Sequence, residues 1–269
     1  MDLRISHPRG AWNGNPAENV FFIADATGRQ LGTAYVVYQY QPHLYPERPI
    51  NIFFSVEARQ EARYVLLGAV VARGRQLRDQ QPSATARLYT CILPDDAESQ
   101  SFYLRAGLSC EDNESMMLLS DSGLDTHIPM GCQVAQTPLN TVQEQQAFMS
   151  RLRANDITHI DSSYLSEILR TQHCCALGIF NGQRLIGEAL MAGVGGNCEL
   201  VAIYVERGSR RQGIGRALMQ QAMALMHREG VTRFTARFIS RSEPQMGLCR
   251  AFRGTPINTL ALFPSIDIR

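Results

Sequence analysis

The stretch Arg210-Arg211-Gln212-Gly213-Ile214-Gly215-Arg216 constrains this chain more than any other part of it. It follows the apolar run Leu200-Val201-Ala202-Ile203-Tyr204-Val205 and precedes a run of helical periodicity from Ala217 to Met226. Strand, glycine-containing loop and helix in that order build an anion site. The glycines let backbone N–H groups approach a phosphate, and the helix N-terminus adds a partial positive charge. Arg210, Arg211 and Arg216 add cations for the same phosphates. The local expectation is a pyrophosphate cradle. It is not the Gly-x-Gly-x-x-Gly of a dinucleotide fold, because no third glycine opens the helix. It is not a P-loop either, because the chain contains no lysine.

The spacing resembles the Arg/Gln-x-x-Gly-x-Gly/Ala signature of the GNAT family of N-acetyltransferases. Arg210 fills the first position, Gly213 the fourth and Gly215 the sixth. The resemblance implies that Arg210, Arg211, Gln212, Gly213, Ile214, Gly215 and Arg216 bind the pyrophosphate of acetyl-CoA. It also implies that the backbone of Ile203, Tyr204 and Val205 bonds the pantetheine arm. The plainer alternative is a surface turn with helix-capping glycines.

The C-terminal half has the element order that this resemblance requires. A strand is expected over Met130–Gln136 and helices over Thr141–Arg153 and Ser162–Arg170, each opened by polar residues. Cys174–Phe180 and Arg184–Ala192 form a hairpin about Asn181-Gly182. The strand Cys198–Val205 feeds the loop, followed by a helix over Arg216–Glu229 that Gly230 stops. A strand Thr232–Ile239, a helix Ser242–Arg253 and a strand Thr259–Phe263 complete the pattern.

The N-terminal half reads as a second, worn copy. Gly28-Arg29-Gln30-Leu31-Gly32 is similar to Gly182–Gly187 in its turn and following strand. Ile50–Val56 is an expected strand, Arg59–Asp79 a helix, Leu88–Leu93 a strand and Ala97–Arg105 a helix. The ending Phe102-Tyr103-Leu104-Arg105-Ala106-Gly107-Leu108 resembles that of the family's last helix. The two early helices are missing, since Pro8–Pro16 is loop-like. The expected fold is α/β, a mixed α+β sheet type: two tandem GNAT-like domains, each a mostly antiparallel sheet flanked by helices. The expected division is a degenerate domain over 1–122 and a catalytic domain over 130–269, with the boundary in the polar stretch Ser120–Pro129. Laying Val56 on Val205 puts Tyr64 on Gly213 and Leu66 on Gly215. Side chains there block the approach of backbone to phosphate, so the first copy is expected not to bind acetyl-CoA.

Acetyl transfer to an amine needs a polarised thioester carbonyl and a neutral amine. The resemblance assigns the first task to a backbone N–H around Ile203–Val205. The resemblance also points to Glu199 as the general base, since fourteen residues before Gly213 is a position where several family members carry a catalytic glutamate, and a burial-raised pKa would suit that role. A solvent-facing strand glutamate is the equal alternative, and Glu188 is the reserve base. No tyrosine is placed to protonate the leaving thiolate: counting back from Gly254 gives Arg250 and Cys249. Either Cys249 or a water serves instead, or no acid is required; the role stays unassigned, and the plainer reading of Cys249 is a packing residue. His159, Asp161 and Tyr164 are either acceptor contacts or a helix cap. Met219, Met223 and Met226 read as core. No cysteine or serine has an evident base partner, so direct attack of a primary amine in a ternary complex is favoured over an acyl-enzyme. The acceptor is a small molecule or a peptide. The competing reading is a non-catalytic acyl-CoA-binding regulatory protein.

Composition bounds the rest. A net charge of +1 gives no reason to expect a nucleic-acid or membrane surface. No apolar run approaches the length of a membrane span, and the N-terminus lacks a signal-peptide core. The seven cysteines lack regular spacing and form no metal-ligand pattern, so no metal is expected and the location reads as cytoplasmic. All 26 basic residues are arginine. Coding bias explains this, and so does avoidance of self-acetylation; the sequence does not separate them.

Overall fold

The computed structural model describes residues 2–120 and 127–268. Of the expected boundary stretch, residues 121–126 lie outside the described residues, and so does the expected domain end at 122. The chain divides into two compact units, Met1–Asn113 with Leu260–Arg269, and Glu114–Thr259. This division differs from a cut at 122–130 in one respect. Each sheet takes a strand from the other half of the sequence.

The first unit holds a six-stranded sheet in the order β1-β2-β3-β4-β5-β13. Its strands are β1 (Arg4–Ser6), β2 (Val20–Ala24), β3 (Gln30–Tyr40), β4 (Ile50–Ala58), β5 (Ala86–Tyr89) and β13 (Ser265–Ile268). All neighbours are antiparallel except β4 and β5, which the helix α1 (Gln60–Arg78) connects as a crossover. A second helix, α2 (Ala97–Arg105), is capped by Asp96, whose carboxylate accepts from Ser99 N. Ile23, Val36, Ile52, Phe54, Leu66, Val70 and Leu88 close one core between α1 and the sheet. Between β1 and β2 only a single 3-10 turn, Ala17–Asn19, interrupts the loop, in line with the missing early helices.

The second unit holds a seven-stranded sheet in the order β12-β6-β11-β10-β9-β8-β7. The strands are β6 (Asn113–Leu119), β7 (Cys132–Gln136), β8 (His173–Asn181), β9 (Arg184–Val194), β10 (Asn197–Val205), β11 (Arg233–Ile239) and β12 (Thr255–Leu262). Helices α3 (Val142–Ala154) and α4 (Ser162–Ile168) cover one face, while α5 (Ile214–Arg228) covers the other. A fourth helix, α6 (Glu243–Ala251), follows β11. A full capping box starts α3: Thr141 Oγ1 accepts from Glu144 N, and the Glu144 carboxylate accepts from Thr141 N. Met219, Met223 and Met226 are fully buried in the α5 core, as the periodicity predicts.

The sequence reading expects one last strand over Thr259–Phe263 and none over 113–119, whereas the structure has β12 over Thr255–Leu262, β13 after it, and β6 over Asn113–Leu119. β6 leaves the first half of the sequence and pairs antiparallel with β11 in the second unit. β13, at the chain end, pairs antiparallel with β5 in the first unit. Each covers the backbone edge that its neighbour would otherwise leave open.

Candidate active site

β10 and β11 run parallel but pair only over Asn197–Leu200 and Arg233–Ala236. Beyond that they part. β10 stays with β9 as far as Val205↔Gly187, and β11 stays with β6 as far as Ile239↔Glu114. A wedge therefore opens between the two strands. A β-bulge between Leu200 and Ala202 marks where it begins. The extra residue reverses the facing of the strand. Cys198 and Leu200 pack into the α5 core, whereas Ala202 and Tyr204 pack into the α3–α4 core.

The wedge exposes backbone donors. Glu206 N donates to Ile186 O at 2.9 Å, which fixes the alternation of the antiparallel pair. Counting back, Tyr204 and Ala202 turn their N–H groups to β9. Ile203 and Val205 turn theirs the other way, into the wedge. Gly187 permits the close approach here, since a Cβ on it would stand 2.8 Å from Tyr204 O.

At the wide end of this wedge the chain makes one 3-10 turn, Arg207–Ser209, and enters α5. Gly213 is the N-cap, at φ +79° in the left-handed region, and no side chain caps the helix. The first turn carries no acidic residue. The N–H groups of Ile214, Gly215 and Arg216 thus begin the helix without intrahelical partners, and the helix dipole adds to them. Arg211 also holds a left-handed φ, +63°. The seven loop residues divide by role. Arg210 is half-buried, and its Nε donates to Val205 O at 2.9 Å, so it fastens the loop to the end of β10. Burial holds its guanidinium somewhat below the ordinary value. Gln212 Nε2 donates to Gly208 O at 3.3 Å. Arg211 and Arg216 are exposed at the helix mouth, and Ile214 is buried in the core.

Residues 141–253 match the model of the Acetyltransferase (GNAT) family. Residues 141–253 are a GNAT-family domain. No curated protein matches it in sequence. Among solved structures, a GNAT N-acetyltransferase from Sphaerobacter thermophilus is similar at 15% identity and a TM-score of 0.50, covering 96% of this chain and 84% of that one. A protein from Enterococcus faecalis, described as a probable N-acyltransferase of unknown function, is similar at 10% identity and a TM-score of 0.54, covering 98% of this chain and 72% of that one. At those identities the likeness concerns the fold, and it extends over both units. The second unit therefore carries a GNAT acetyltransferase domain, in a chain whose fold along its length is similar to that of GNAT structures.

Within this GNAT frame the two candidate carboxylates have different surroundings. Glu199 lies beside the start of the wedge, opposite Thr235 on β11 and Ala192 on β9. Its side chain is 29% exposed and points to the α3–α4 face, between the core-facing Cys198 and Leu200. Arg237 Nε donates to its Oε1 at 2.9 Å. Glu188 on β9 is fully buried. Arg151 on α3 grips it with two bonds, Nε to Oε2 at 2.7 Å and Nη2 to Oε1 at 2.8 Å. Tyr204 Oη donates to Oε2 at 2.7 Å. With both oxygens engaged and no exposure, Glu188 has no route to an amine, so the reserve base of the sequence reading is set aside.

Two further expectations resolve locally. Asp161 is the N-cap of α4 and accepts from Tyr164 N at 2.8 Å, which is the capping alternative. Cys249 is buried, with the Gly254 backbone packed against its sulfur. Among the described residues no group of three or more His, Cys, Asp or Glu is placed to hold a metal, and no helix is long and apolar enough to cross a membrane.

The first unit lacks the loop altogether. β4 ends at Ala58 and α1 begins at Gln60, so one residue, Arg59, joins strand to helix. Tyr64 and Leu66 are therefore helical residues of α1, not occupants of the glycine positions. The equal-spacing alignment of Val56 with Val205 assumed a loop of equal length. Glu61 in the first turn also opposes an anion there. Tyr103, in the ending that resembles the family's last helix, is buried beside Phe54 and Phe102.

Proposed function

We propose that the second unit binds acetyl-CoA at the wedge and transfers its acetyl group to a primary amine by direct attack in a ternary complex. The observation that carries this reading is the divergence of β10 from β11 beside the uncapped, acid-free N-terminus of α5. Acetyl-CoA supplies the activated thioester. The first-turn N–H groups of α5, with Arg211, Gly213, Gly215 and Arg216, bind its pyrophosphate. Arg210 and Gln212 hold the loop in shape, and Ile214 anchors it to the core. The edge of β10 from Ile203 to Val205 bonds the extended arm as a partner strand would, Tyr204 contributing backbone alone. The N–H of Ile203 or Val205 stabilises the oxygen that gains charge during transfer.

Glu199 is the proposed general base. Ile203 lies four positions further along the strand, about 13 Å away in extended backbone. That exceeds the reach of the Glu199 side chain, so the proton passes from the amine to Glu199 through water. Oε1 is held by Arg237, while Oε2 takes no hydrogen bond among the described residues. The acceptor, a small molecule or peptide amine, enters on the α3–α4 face, where Glu199 and Arg237 lie. The proposed location is cytoplasmic.

The test is Glu199→Gln, which preserves size and shape. Its kcat should fall roughly 10²–10⁴-fold near neutral pH, with acetyl-CoA affinity unchanged. The deficit should shrink at high pH, where the amine is already neutral. A wild-type rate near neutral pH removes Glu199 from the mechanism.

A further inference from the structure

The trio Arg151, Glu188 and Tyr204 has no part in the chemistry above, yet three hydrogen bonds of 2.7–2.8 Å join it. Glu188 is wholly removed from solvent and accepts three hydrogen bonds from two elements. Burial of a charge in this manner is costly unless each lone pair is met, and removing one partner leaves the other exposed to that cost. Burial, and then the neighbouring carboxylate, push the Tyr204 hydroxyl above its ordinary value, so it stays a donor.

Its location gives it a task. Tyr204 stands directly opposite Glu188, between Ile203 and Val205. Those are the residues whose N–H groups point into the wedge. Past Leu200, β10 has lost β11 and is held along one edge only, by β9. A strand held on one side needs a second restraint if its free donors are to keep one aim. Arg151 supplies the far end of that restraint from α3, a helix of the acceptor face, and its side chain is still 36% exposed there.

We propose that Arg151, Glu188 and Tyr204 are positioning residues: they pin β10 at Tyr204 so that the Ile203 and Val205 N–H groups stay aimed at the acetyl carbonyl, and they tie that aim to α3. The proposal rests on the acetyl-CoA reading of the wedge. It makes the polarising power of the strand depend on a side-chain network on the opposite face from α5. Contacts that an acceptor makes with α3 would then bear on the carbonyl donors through Arg151.

The test uses the full chain and acetyl-CoA labelled isotopically at its carbonyl carbon. In the wild type, infrared difference spectra should show the bound carbonyl band below its position in free acetyl-CoA. In Tyr204→Phe, which keeps the ring and removes one donor, the band should move back toward the free position. The acetyl-CoA Kd should stay at the wild-type value, and kcat should fall about 10–100-fold, the scale of a misaimed donor. This deficit should be the same across pH, unlike that of Glu199→Gln. Arg151→Lys, which replaces the two-pronged grip by a single ammonium, should move band and rate in the same direction. A role in stability alone predicts a lower unfolding midpoint with band and kcat unchanged, and that result in both variants overturns the proposal. Failure of the wild type to bind acetyl-CoA overturns the reading beneath it, a distinct outcome visible before any variant is compared.

Discussion

Replacing Gly213 by alanine separates backbone conformation from space at the proposed cofactor loop. Gly213 sits at φ +79°, and a Cβ built there meets no atom within 4 Å. The variant therefore introduces no clash inside the protein. What it introduces is the steric penalty of the left-handed region for an L-residue, about 1–2 kcal/mol. That penalty has two places to appear. If the loop holds its shape in the free protein, stability falls by that amount. If the loop relaxes when empty, the binding conformation must be regained at each association. The affinity for acetyl-CoA then falls about 5–30-fold, at 1.4 kcal/mol per factor of ten. Calorimetric titration with acetyl-CoA and denaturant unfolding of the same sample measure both, and the two losses should sum to about 1–2 kcal/mol. Gly213→Val adds a branched side chain over the first-turn N–H groups and should abolish binding. A Gly213→Ala protein with wild-type affinity and wild-type stability would refute the argument. So would a folded Gly213→Val that still binds.

The chain should bind one acetyl-CoA, because only one residue joins β4 to α1 in the first unit; two equivalent sites in a titration would contradict this. Burial pushes the thiols of Cys175 and Cys198 up to about 12, so both remain protonated and unreactive near pH 8. A thiol-specific reagent should label the exposed Cys91 first and reach Cys175 and Cys198 only on unfolding, with peptide mapping as the readout; rapid modification of either buried thiol in the folded protein would be the contrary result.

The parts of this fold that were legible in the sequence are those carried by local signals. Asn181-Gly182 gives the β8–β9 hairpin, Asp161 and Thr141 give helix starts, and the glycine loop gives the entry to α5. The parts that were not legible depend on distant pairing. β6 and β13 each find a partner in the half of the chain opposite to their own, which no local periodicity reports. The wedge is likewise set by a bulge and by which neighbours β10 and β11 keep. The mapping of Tyr64 and Leu66 onto the loop failed because counting from a shared valine cannot detect a deleted loop. Glu188 did leave a signal. It is the one charged residue in Ile186-Gly187-Glu188-Ala189-Leu190-Met191-Ala192, a run too apolar for a strand with a wet face, and all seven are buried. A charge in such a run must be paired, although its partners Arg151 and Tyr204 could be named only from the structure.

The central claim is that the second unit turns acetyl-CoA over onto an amine. The most direct measurement follows coenzyme A release from the purified chain across a panel of small-molecule and peptide amines, with the acetylated product counted by mass spectrometry. The account predicts amine-dependent release matched one for one by N-acetylated product, lost in Gly213→Val. Tight binding of acetyl-CoA with no amine-dependent release from any acceptor would contradict it and leave a non-catalytic acyl-CoA sensor.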